Sequence, residues 1–162
     1  MIQSNVYIDL HGRQFLLGDL DDEEHKLVAR LKRRAHTHPD WNGFENYWTD
    51  AVWKLYESRG LTRLQASKTA VYRIAQDLCS RLGIESGLVR APDYRDELAD
   101  LIRRRFKTRR EFCEATGISE DMLSHVLAGR KHLAIDTLQN ALAKIGCTLR
   151  IMPVEPVDSQ SA

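Results

Sequence analysis

Arg109, Arg110, Arg130 and Lys131 bracket one short stretch, TRREFCEATGISEDMLSHVLAGRK, from Thr108 to Lys131. Cations at both ends of so short a segment are chemistry for anions. The planar fork of arginine matches the O6 and N7 acceptors of guanine or two phosphate oxygens, and lysine supplies a compact point charge. Between them stand Ser119, Glu120, Asp121, Ser124 and His125, whose acceptors suit donors such as the N4 amino group of cytosine. Two adjacent carboxylates repel phosphates by about 1 kcal/mol per close pair even in water, so Glu120 and Asp121 oppose what the four cations favour. No phosphate loop, nucleophile–base pair or metal-ligand spacing stands out anywhere in the chain; the expectation is no enzyme, no catalytic residue, no cofactor and no metal.

Two short helices must position these groups. Thr108 is placed to cap the first, with Glu111 three residues on to complete a capping box. Phe112, Cys113 and Thr116 form its buried stripe, and Gly117 follows where a left-handed terminus is needed. Ile118 anchors the turn and Ser119 caps the second helix. Leu123, Val126 and Leu127 give that helix one apolar edge before Gly129 stops it, leaving Glu120, Asp121, Ser124 and His125 on the solvated face.

Upstream, Asp93 or Asp96 opens a helix with Leu98, Leu101, Ile102 and Phe106 inward, ending in Arg103, Arg104, Arg105 and Lys107. Cys147 to Met152 alternates with period two and stops at Pro153, the pattern of one strand, which needs a partner to satisfy its ladder.

The motifs Glu111-Phe112-Cys113, Gly117-Ile118-Ser119, Leu123-Ser124 and Ala128-Gly129-Arg130-Lys131, with Asp136-Thr137-Leu138 and Ala141 to Gly146 after them, resemble the Xre/Cro, or lambda-repressor-like, helix-turn-helix regulators. The resemblance covers about residues 94–152, and the terminal strand is similar to that of the HipB-type antitoxins, where such strands pair across a dimer. It implies a transcription regulator, repressor or antitoxin that binds double-stranded DNA as a homodimer and reads an inverted repeat. By resemblance Arg109, Glu120, Asp121 and Ser124 face the bases with His125 beside them. Thr108, Arg110, Arg130 and Lys131 face the backbone, and Ser119 caps the recognition helix between them. The alternative is an interaction module, such as the antitoxin of a toxin–antitoxin system, that neutralises a cognate toxin or other protein through its N-terminal domain, with DNA binding secondary or absent.

The whole chain has 162 residues and a net charge of +1, which by itself argues for no polyanion partner. The balance is uneven: residues 1–93 are neutral and residues 94–152 carry a net +3. Local clusters, more than the total, set affinity for phosphate. Cys79, Cys113 and Cys147 are odd in number and far apart, hence small core residues and not a disulfide framework. No apolar run approaches the ~20 residues that span a bilayer, and no signal-peptide pattern opens the chain, so a cytoplasmic protein without membrane partners is expected.

Val6 to Leu17 reads as a β-hairpin turning at His11-Gly12-Arg13. Asp21 to Glu24 opens a helix that Lys32, Arg33 and Arg34 close, with acid at its positive end and base at its negative end. Phe44, Tyr47, Trp48, Ala51, Val52, Leu55 and Tyr56 keep helical spacing without a miss. Together with Trp41 and Trp53, this segment holds all three tryptophans, which read as core in preference to a base-stacking platform. Thr62 to Gly83 reads as one further helix, on which Arg63, Lys68, Arg73 and Arg81 form a scattered basic face. The expected architecture is mainly α. A helical N-terminal domain with a β-hairpin (1–85), serving partner binding or oligomerisation, is followed by a linker (86–93). A lambda-repressor-like bundle ending in one strand (94–152) and a flexible tail (153–162) complete it.

Overall fold

The computed structural model describes residues 5–151. Among them the chain is mainly helical, with eight α-helices and one two-stranded antiparallel sheet. It divides into two compact units between Ala91 and Pro92.

In the first unit, β1 (Val6–Ile8) pairs with β2 (Gln14–Leu16), setting Val6 opposite Leu16 and Tyr7 opposite Phe15. Gly12 takes φ +72° in the turn, a backbone that glycine adopts without a Cβ clash. The buried Asp9 carboxylate organises the rest of that turn, accepting from the His11 and Arg13 amides and from Arg13 Nε. So small a hairpin is marginal alone, and it is fastened to a helix.

The four helices of this unit are α1 (Asp22–Ala35), α2 (Trp41–Glu57), α3 (Arg63–Ala66) and α4 (Ala70–Glu85). Helix α4 packs on both α1 and α2. Leu27, Val28 and Leu31 meet Phe44, Trp48, Val52 and Tyr56 and the α4 stripe Val71, Ile74 and Leu78 in one core. Tyr7 is fully buried there, and its hydroxyl donates to Asp77 on α4. Asp77 also accepts from the Leu10 amide at 2.9 Å and from Arg81 Nε at 2.7 Å, while Arg81 donates to the Ile8 carbonyl at 3.3 Å. Arg81 is thus a buried member of an ion pair and no part of an exposed basic face. Burial acts to lower its pKa, but the Asp77 hydrogen bond and charge outweigh that, so the net shift is upward.

The structure also departs from the single helix expected from Thr62 to Gly83. That stretch is two helices: the chain breaks at residues 67–69, Thr69 caps α4 with its hydroxyl, and Leu64 on α3 is exposed. Gly83 does not end α4. It lies inside the helix, where a Cβ would stand 2.6 Å from Val89 Cγ2, and the left-handed turn falls at Gly87, φ +70°. The amides of Leu88 and Val89 return to the Gly83 carbonyl, docking the start of the expected linker onto α4. Lys32 lies over the Tyr7 ring and Arg34 over the Tyr47 ring, at 5.1 and 4.7 Å from the centroids, so two of the three cations closing α1 stack on aromatic rings. The tryptophans pack on the core, with Trp48 and Trp53 both against Tyr72.

At the other end of α1, Asp21 and Glu24 form a capping box, and Arg59 binds Asp21 and Glu23, each at 2.7 Å. The Arg59 hydrogen bond, helped by the Glu24 amide, holds the Asp21 carboxyl down at about 2, below its ordinary 3.8. A carboxyl with a folded-state pKa below its unfolded one binds fewer protons when folded, so its contribution is complete above about pH 4 and is lost as pH falls towards 2. Urea unfolding followed between pH 6 and 2 is therefore expected to show a shallower acid loss in Asp21→Asn than in the wild type. Parallel curves would refute this.

The second unit contains α5 (Tyr94–Arg105), α6 (Arg109–Thr116), α7 (Glu120–Leu127) and α8 (Ile135–Lys144). Asp93 caps α5 in a box with Asp96. Leu98 and Ile102 of α5, Phe112 and Cys113 of α6, Leu123 of α7 and Leu138, Ala141 and Leu142 of α8 make its core. Residues 147–151 form no strand, contrary to the alternation of their side chains. Backbone pairing requires a second strand, and the sheet among the described residues contains only β1 and β2. Met152 and the expected tail 153–162 lie outside the described residues. No helix among those residues is long and apolar enough to cross a membrane.

Candidate functional site

Helices α6 and α7 are eight residues each, joined only by Gly117, Ile118 and Ser119. Thr108 Oγ1 accepts the Glu111 amide at 3.2 Å, and Ser119 Oγ accepts the Met122 amide at 3.1 Å, so each helix starts at a defined residue. The capping box expected at Thr108 is half formed: the Glu111 carboxylate takes the Lys107 amide, one residue earlier than anticipated. Gly117 lies at φ +79° and Ile118 is buried beneath the turn.

The turn is braced from α8, whose Lys144 Nζ donates to the Thr116 carbonyl at 3.1 Å. A Cβ on Gly117 would meet that ammonium at 3.0 Å, besides placing an L side chain in the left-handed region. Gly117→Ala is expected to cost about 1–2 kcal/mol and Gly117→Asn less, read as shifts in the urea midpoint, because asparagine tolerates this backbone better. Equal costs would remove the conformational explanation.

After α7, the Gly129 amide bonds to the Val126 carbonyl and the Arg130 amide to the His125 carbonyl, the two bonds of a Schellman ending, with Gly129 at φ +75°. A Cβ on Gly129 would lie 2.7 Å from the Arg95 guanidinium, which the Asp93 carboxylate holds in place. The Tyr94 hydroxyl accepts the Leu133 amide, pinning the chain that leaves the site.

Of the ten residues singled out from the sequence, Thr108, Arg109, Arg110, Ser119, Glu120, Asp121, Ser124, Arg130 and Lys131 are exposed and His125 is half-buried. They are not equally available. Arg110 Nε is engaged with Glu114 at 3.0 Å, an exposed i,i+4 pair of small energetic weight. Among the described residues, Arg109, Lys131, Ser124 and Glu120 have no side-chain partner. Asp121 Oδ1 stands 3.5 Å from His125 Nε2, and His125 Nδ1 accepts from Arg130 Nε at 3.0 Å. A guanidinium only donates, so the neutral ring carries its proton on Nε2, facing Asp121.

The i,i+4 spacing of Asp121 and His125 is legible in the sequence, whereas the return of Arg130 to His125 depends on how the chain leaves α7. Among the described residues the arrangement offers two helix N-termini, the unpaired cations Arg109 and Lys131, and in Arg130 a guanidinium held at Nε whose terminal nitrogens have no protein partner, chemistry suited to phosphate oxygens and base acceptors. Comparison of the chain with protein-family models, with curated proteins and with solved structures finds no match.

Proposed function

We propose that the chain is a sequence-specific regulator that binds double-stranded DNA as a homodimer, with α6, the Gly117 turn and α7 acting as a helix-turn-helix and α7 entering the major groove. The observation carrying this reading is the pair of eight-residue helices, capped by Thr108 and Ser119 around a left-handed Gly117, with exposed cations before the first and after the second. Arg109 suits a guanine edge, and Thr108, Arg110, Arg130 and Lys131 suit phosphates. An inverted repeat with half-sites about one helical turn apart matches such a dimer. A repressor or antitoxin of the cytoplasm is the biological setting this reading favours.

Selection of bound duplexes from a random pool tests the reading and its symmetry together. With about four phosphate contacts per subunit, log K is expected to fall against log salt with a slope near −7 for the dimer. A flat slope, or equal affinity for random duplex, would sink it. One observation favours a second reading, a module that binds a protein partner such as a toxin through its N-terminal unit: Glu120 stands exposed at the tip of α7 with no cationic partner among the described residues. Replacing Arg109 and Arg130 together by alanine separates the two, because the first reading requires loss of duplex binding and the second leaves partner binding intact.

A further inference from the structure

Resting on the DNA reading above, we infer that His125 is a positioning residue for Arg130, holding the guanidinium at the end of α7 so that its two terminal nitrogens face a phosphate. Three hydrogen bonds make the connection. The His125 carbonyl accepts the Arg130 and Lys131 amides at 2.9 and 3.2 Å, fixing the backbone, and the His125 ring accepts Arg130 Nε at 3.0 Å, fixing the side chain. This uses the one guanidinium nitrogen in the stem and leaves both terminal nitrogens without a protein partner among the described residues.

A free arginine on a surface loop loses side-chain entropy when it engages an anion; one already held by Nε loses less, which is how preorganisation favours binding. Asp121 completes the device. Its carboxylate stands 3.5 Å from Nε2, and its negative charge favours the tautomer with the ring proton on Nε2 and Nδ1 open as the acceptor. An acid that repels phosphate at long range thus acquires a role at short range: it favours the tautomer that holds a cation. Glu120 has no such connection, so the two adjacent carboxylates are not equivalent.

The test uses the full chain and a duplex enriched from the random pool, comparing wild type, Arg130→Ala, His125→Ala, His125→Asn and the double variant His125→Ala/Arg130→Ala. Removing one phosphate interaction per subunit lowers the salt slope by about 0.9, hence about 1.8 for the dimer. Arg130→Ala and His125→Ala are each expected to lower it by about that much, with no further loss in the double variant. His125→Asn is expected to keep the wild-type slope, because the asparagine oxygen can occupy the place of Nδ1 and accept from Arg130, a rescue that helix stability alone would not produce. In the free protein, a slowly exchanging Arg130 Nε proton seen by nitrogen-15 NMR should be present in wild type and His125→Asn and absent in His125→Ala. A wild-type slope in His125→Ala, additive losses, or failure of His125→Asn to rescue would each overturn the positioning role alone. Wild type that binds no duplex overturns the DNA reading and this role together.

Discussion

Asp77→Ala is expected to destabilise the N-terminal unit by about 3–5 kcal/mol, the cost of leaving a buried charge without its partner. In the wild type the Asp77 carboxylate is surrounded by donors from three places in the chain: the Tyr7 hydroxyl, the Leu10 amide and Arg81 Nε. Truncation leaves Arg81, with only 7% of its side chain exposed, facing the Ile8 carbonyl with no Asp77 charge beside it, while the Tyr7 hydroxyl loses the carboxylate it donates to in the core. The reverse truncation, Arg81→Met, should cost less, because Asp77 keeps two of its three donors and methionine fills the apolar volume. Urea unfolding followed by tryptophan fluorescence reads this unit, since Trp41, Trp48 and Trp53 all lie in it. If Arg81→Met proves the more damaging, the account of the pair as a donor-surrounded carboxylate is wrong.

The second large effect is expected at Phe112. It is fully buried on α6, packs edge-on against Phe106 with ring centroids 5.4 Å apart, and belongs to the core shared by α5, α6, α7 and α8. Phe112→Ala should cost about 3–5 kcal/mol from reduced burial and the cavity left behind. Its consequence reaches the candidate interface, because Thr108, Arg109 and Arg110 are positioned only by the seating of α6. On the proposed DNA reading, duplex binding should weaken in proportion to the unfolded fraction and recover on cooling towards the temperature of maximum stability. Arg109→Ala, by contrast, should weaken binding with the thermal midpoint unchanged. Loss of affinity in a fully folded Phe112→Ala protein would show that this side chain does something besides seating the helix.

How much of the fold is legible in the sequence follows from the range of the interactions. The caps at Thr108 and Ser119, the acidic start of α1 at Asp21 to Glu24, the left-handed Gly117 and the helical stripe from Phe44 to Tyr56 involve residues within one or a few turns of one another, and all appear in the structure. Arg81 reads from spacing alone as part of a scattered basic face because its partners include Ile8, 73 residues away, and sequence spacing carries no trace of that pairing. The break between α3 and α4 is hidden because Leu64 and Val71 hold helical register across it, while the local bonds of Ser67 and Thr69 to the carbonyls of Leu64 and Ala66 end one helix and Thr69 begins the next. The alternation in residues 147–151 is a true pattern in the side chains, but a pattern of faces does not supply a neighbouring backbone. At the site, the identities of the exposed residues and the i,i+4 spacing of Asp121 and His125 are legible, whereas the return of Arg130 to the His125 ring depends on how the chain leaves α7.

The fastening of the hairpin to α4 also bears on the order of events in folding. Tyr7 meets Asp77 across a sequence separation of 70, so the bond closes a long loop and its entropy must be offset before the bond contributes. The helices of the unit nucleate locally and on faster timescales, whereas a three-residue strand pair has little to hold it until α4 has presented Asp77. The hairpin is therefore expected to join late, and its amides to act as remote reporters: hydrogen exchange at Tyr7 and Phe15 would register the integrity of a helix far along the chain.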